Sequence, residues 1–137
     1  MDISRASIYD YVTINASIRH MYKDNNCEEE AAYMRKRFAK YGDVEDRVNR
    51  FKKSKGCGAV LDRTVDRIDN IRFKTCVCSM KHPLTNNLLQ INDMLGRGIL
   101  PFSGALMEQP AQIMELLDIV DNAKTREINL RKAKSNG

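Results

Sequence analysis

LTNNLLQINDMLGRGILPFSGALMEQPAQIMELLDIVDNAKTREINL, residues 84–130, contains two amphipathic patterns separated by a Gly- and Pro-punctuated connector. Leu84, Leu88, Ile91 and Leu95 recur at helical spacing, and Ile113, Leu116, Leu117 and Val120 do the same after the connector. Gly96 and Gly98 supply stop signals for the first helix. Gln109 followed by Pro110 reads as the first turn of the second, where the missing proline amide is no loss. A C-terminal antiparallel helical hairpin is expected.

Upstream, Ile8, Tyr11, Val12, Ile18 and Tyr22 share one helical face. Asn26 before Cys27, Glu28 and Glu29 places a capping side chain and acidic groups at a helix start. The apolar positions Ala31, Met34, Phe38 and Tyr41 lead to Gly42, a natural stop. Asp43 is placed to cap a third helix through Val44, Val48 and Phe51. A fourth helix is expected over about 59–71 from the stripe Leu61, Val65, Ile68 and Ile71. Residues 72–80 leave room for one short extended segment, since RFKTCVCSM loosely alternates. The sum is an all-α fold, a compact bundle of five or six helices. A single domain is expected over 1–130, with a disordered tail over 131–137 that lacks an apolar anchor.

The chain has 137 residues, enough for one core without disulfides. Its apolar runs are too short to span a bilayer and the beginning lacks a secretory signal pattern, so no membrane partner and a cytoplasmic location are expected. Four cysteines then read as thiols or metal ligands rather than a disulfide framework. Cys57, Cys76, Cys78 and His82 form the candidate ligand set, and zinc is the cofactor that three thiolates and an imidazole would take. The C-x-C spacing departs from the commoner C-x-x-C. Small buried cysteines beside a helix-starting histidine are the favoured reading, so no cofactor is expected, with zinc as the alternative.

Between residues 35 and 55 nine basic residues face three acidic ones, an excess of six in a chain whose net charge is +5. Arg35, Lys36, Arg37, Arg50, Lys52 and Lys53 are candidates for contact with nucleic acid or an acidic partner, a solvated face being the alternative. Helix-turn-helix recognition is disfavoured because Asp62, Asp66 and Asp69 follow the glycine-bearing turn. Enzymatic activity is not expected: His20 has no evident catalytic partner, Ser103 lies in PFSGA rather than a nucleophile elbow, and phosphate-binding and dinucleotide fingerprints are missing.

The connector carries Ile99, Leu100, Phe102, Leu106 and Met107, large apolar residues that must tuck under the hairpin or meet a partner. Within GILPFSGALMEQPAQIMELLDIV, the residues Leu100, Pro101, Gly104, Gln109 and Pro110 resemble a pattern in small tailed-bacteriophage proteins of the head and tail region, including tail assembly proteins. Ala105 stands where those proteins often carry a second glycine. The resemblance implies a non-enzymatic interaction or structural protein. It would contact other virion or assembly subunits and reside in the host cytoplasm or the virion, with oligomer formation left open. A small basic nucleic-acid-binding regulator, stabilised by zinc, is the alternative reading.

Overall fold

The structure, a computed structural model, describes residues 7–23, 26–100 and 111–136. Among them are five α-helices and one two-stranded antiparallel sheet: α1 Ile8–Tyr22, α2 Cys27–Arg37, α3 Val44–Ser54, β1 Asp66–Ile68, β2 Ile71–Phe73, α4 Thr85–Gly96 and α5 Ala111–Asn136. The fold is therefore mainly helical with a short extended part, in keeping with the sequence pattern. Where the sequence suggests one domain over 1–130, the chain divides into two compact units, one of residues 1–22 and 81–137 and the other of residues 23–80.

The first unit is helical. Ser7 and Asp10 form a reciprocal cap for α1: the Asp10 amide donates to Ser7 Oγ and the Ser7 amide to Asp10 Oδ2, each at 3.1 Å. The apolar stripes at Ile14 and Ile18 of α1, Leu88 of α4, and Leu116, Leu117, Val120 and Ala123 of α5 close into one core. Asn92 bonds Asp121 and Lys124, while Leu95 to Arg97 flank a cleft shared with Met114, Leu117 and Asp118; α4 and α5 thus run antiparallel. Glu127, almost fully buried, accepts from Arg19 Nε at 2.6 Å and from Arg126 Nε at 2.9 Å, and Arg126 also holds Asn15 Oδ1. α5 continues through 131–136, where the sequence suggests a disordered tail. Arginine, lysine and alanine are strong helix formers, and cations favour the negative end of the dipole.

The second unit departs from the sequence reading at one element. The helix expected over 59–71 is replaced by a β-hairpin with the register Asp66↔Phe73, Arg67↔Arg72 and Ile68↔Ile71. Asp69 at φ +51° and Asn70 form its two-residue turn, a conformation that aspartate and asparagine tolerate. Val65, Ile68 and Ile71 satisfy helical spacing by coincidence, while their β-branched side chains favour the strand pair. Amides of Leu61 and Val65 donate to the carbonyls of Lys74 and Phe73, both at 2.7 Å, extending the pairing beyond the strands. Few large side chains are buried in this unit: Val48, Ile68, Phe73 and Val77, joined by Ala31 and two cysteines.

Candidate metal centre

Cys27 is the first residue of α2, placed there because Asn26 caps the helix: its side chain accepts the Glu29 amide at 3.0 Å. Cys57 sits in the turn that ends α3, between Gly56 at φ +86° and Gly58 at φ +72°. Cys76 follows β2, and Cys78 lies in the 3₁₀ turn Val77–Ser79. The two loops are stitched together. Gly56 O accepts the Cys76 amide at 2.8 Å and Thr75 Oγ1 at 2.7 Å, and the Gly58 amide donates to Ser79 Oγ at 2.7 Å. A Cβ on Gly56 would lie 3.0 Å from the Cys76 nitrogen, so the approach that brings Cys57 to Cys76 requires glycine there.

These elements bring all four Sγ atoms within 4.8 Å of one another. Cys27 Sγ lies 3.5 Å from Cys78 Sγ and 4.0 Å from Cys76 Sγ. Four thiolates at about 2.3 Å from a tetrahedral ion stand about 3.8 Å apart along each edge. The observed separations bracket that value. All four cysteines are free rather than disulfide-bonded. Without a cation, burial pushes the Cys57 thiol far above its ordinary range, reinforced by hydrogen bonding with Cys27 and Cys78 and by the neighbouring charges of Cys76 and Cys78. A divalent cation reverses that preference by stabilising the thiolates together. Beside the thiols a cavity of about 340 Å³ is lined by Lys23, Lys55 and Arg63, with Glu30, and these cations would offset the negative charge of a tetrathiolate.

No protein-family model, characterised protein or solved structure matches the chain. The geometry alone carries the functional argument.

Of the ligand set read from the sequence, Cys57, Cys76 and Cys78 come together, and their fourth companion is Cys27. His82 is not part of that cluster. It belongs to the helical unit, where both ring nitrogens are engaged. The Leu84 amide donates to Nδ1 at 3.1 Å, which leaves the proton on Nε2 facing Asp10 Oδ1 at 2.9 Å. The His82 amide donates to Ser17 Oγ at 2.8 Å, and its carbonyl accepts Thr85 Oγ1 at 3.1 Å. His82 therefore fixes the path of the chain into α4. Asp10 sits below the usual carboxylate range: burial, which by itself raises it, is outweighed by hydrogen bonds from His82 and Ser7.

The six basic candidates lie on α2 and α3, with Arg35, Lys36, Arg37, Arg50 and Lys53 exposed and Lys52 half-buried. Arg35 is paired with Glu45, its Nε donating at 2.8 Å. Among the described residues Lys36, Arg50 and Lys53 make no ion pair. Of the connector candidates, Ile99 is exposed and Leu100 half-buried, whereas Phe102, Leu106 and Met107 lie outside the described residues, as do Pro101, Gly104, Gln109 and Pro110 of the phage resemblance. No helix among the described residues is long and apolar enough to cross a membrane.

Proposed function

We propose that this is a non-enzymatic interaction protein in which a structural zinc ion, held by Cys27, Cys57, Cys76 and Cys78, organises residues 23–80 and thereby displays the basic helices α2 and α3 to an anionic partner. The single observation behind this reading is the convergence of four thiols at tetrahedral spacing from three separate parts of the unit. A closed four-thiolate shell suits a structural role, since catalytic zinc keeps a position open for water or substrate. The unit's small complement of buried large side chains gives such an ion an energetic purpose. Residues 23–80 also hold fourteen Lys and Arg against ten Asp and Glu, most of the chain's net positive charge.

Elemental analysis of the purified chain tests the reading. One zinc per chain is expected, together with loss of protease resistance within 23–80 on chelation. A metal-free chain whose 23–80 segment resists protease equally well would overturn it. A second reading, contact with another virion or assembly subunit through the connector, draws on Ile99, which is 48% exposed at the end of α4. Ile99→Asp would then abolish partner or self-association without altering zinc content.

A further inference from the structure

The turn from α2 to α3 carries an exposed cluster of aromatic rings and cations that the metal site does not use. Tyr33 and Tyr41 are 59% and 42% exposed, high values for rings of that size. Each is held in place. Arg37 Nη1 donates to Tyr33 Oη at 2.8 Å, and the same guanidinium lies 5.8 Å from the centre of the Phe38 ring. Phe38 and Tyr41 are 6.0 Å apart, tilted by 45°. Arg47 covers both rings, at 5.9 Å and 5.0 Å, while its Nε is held by Asp43 at 3.1 Å. Lys40 Nζ approaches Tyr41 at 5.4 Å. The cluster runs continuously from Tyr33 to Tyr41, with cations set between the rings.

We propose that this α2–α3 corner binds single-stranded nucleic acid, stacking bases on Tyr33 and Tyr41 while Lys36, Arg50 and Lys53 take the phosphates. The proposal rests on the metal-organised unit described above and names its anionic partner. Three considerations favour it. Exposed rings contribute little to the fold, yet their orientation here is fixed by hydrogen bonding and cation–π contact, so a stacking partner meets a platform already ordered. The three cations without ion pairs among the described residues supply charge complementarity to a phosphate chain. Finally, a duplex keeps its base faces stacked internally, whereas a single strand offers them to aromatic side chains. An acidic protein surface would satisfy the cations and leave the rings without a role.

The test uses the full zinc-loaded chain and three fluorescent probes of about 20 units: oligo-dT, an abasic deoxyribose-phosphate chain and a DNA duplex. At near-physiological salt oligo-dT should bind at least about tenfold more tightly than either other probe. Tyr33→Ala and Tyr41→Ala should each weaken oligo-dT binding roughly 5- to 150-fold and leave abasic-chain binding unchanged. Equal affinity for oligo-dT and the abasic chain overturns the proposal, and because that comparison uses the wild-type protein it stands whether or not the variants fold. A duplex bound as tightly as oligo-dT overturns it as well, as does polyglutamate competing at the same phosphate-equivalent concentration as oligo-dT. Zinc per chain, measured on each sample, separates the two ideas. A zinc-replete chain indifferent to bases defeats this proposal alone, while base-selective binding that survives zinc removal defeats the metal's organising role alone.

Discussion

Replacing Cys27 by serine, compared with replacing His82 by alanine, tests the metal centre at the point where structure and sequence pattern differ. Cys27 Sγ supplies two edges of the thiol cluster, 3.5 Å to Cys78 and 4.0 Å to Cys76. Serine keeps the shape but presents a hydroxyl that stays protonated near neutrality, so one of four ligands is lost. Apparent binding energies for structural zinc are about 10–16 kcal/mol, or about 2.5–4 kcal/mol per ligand if shared equally. At about 1.4 kcal/mol per decade, Cys27→Ser should weaken zinc binding roughly 60- to 700-fold. Competition with a chromogenic chelator measures the affinity, and tryptic cleavage at Arg35 and Lys36 reports the folding of the unit. His82→Ala removes the Asp10 bond and the acceptor for the Leu84 amide, both within the helical unit. It should cost about 1–3 kcal/mol of stability and leave zinc affinity unchanged. Zinc loss in His82→Ala equal to that in Cys27→Ser, or full affinity in Cys27→Ser, refutes the four-thiol assignment.

Further outcomes follow from other contacts. Gly56→Ala places a methyl 3.0 Å from the Cys76 nitrogen at a positive φ and should lower both zinc affinity and the melting temperature; Gly58→Ala, with nothing within 4 Å, should show only the left-handed backbone cost of about 1 kcal/mol. Glu127→Ala leaves Arg19 and Arg126 without their shared carboxylate and should destabilise the chain by about 3–5 kcal/mol in urea unfolding, with Glu127→Gln retaining part of the loss. Asp10 is depressed in the folded chain, so its stabilisation is complete above the ordinary carboxyl value of 3.8 and disappears as pH falls through the lower folded value. Urea midpoints of the metal-free protein across that acidic window should slope downward with acid in the wild type and less so in Asp10→Asn.

The helices were legible where periodicity and capping agreed. The Asn26 cap opens Cys27–Arg37 and the stripes of Thr85–Gly96 and Ala111–Asn136 close into a core, whereas α2 stops at Arg37, short of Phe38 and the exposed Tyr41 of its expected face. Asp43 gave only half of its signal. Its side chain makes no cap, and the carboxylate is instead spent on Arg47. Residues 59–71 misled because Leu61, Val65, Ile68 and Ile71 fit helical spacing as well as the flanks of a two-residue Asp-Asn turn. Cys27 carries no ligand signal in the sequence, because it precedes Cys57 by 30 positions and has a role of its own at a helix start. The useful signal lay in Gly56 and Gly58 flanking Cys57, a turn tight enough to present one thiol to distant partners. His82 was attractive through its proximity to Cys78 in sequence, yet its ring is consumed in directing the chain toward α4. The division at residues 23 and 80 has no signature in composition, because neither point carries a linker or a break in charge pattern.

The first and third cysteines are 49 positions apart, and nearly all of α2, α3 and the hairpin lies between them. An ion gripped at both ends would act as a reversible tether on that excursion. For a loop of this length the chain entropy withheld from the unfolded state is worth about 4 kcal/mol by the cross-link estimate. Unlike a covalent bridge, the tether can be undone by dilution of the ion, so the readiness of the cationic corner would follow ion supply in its surroundings.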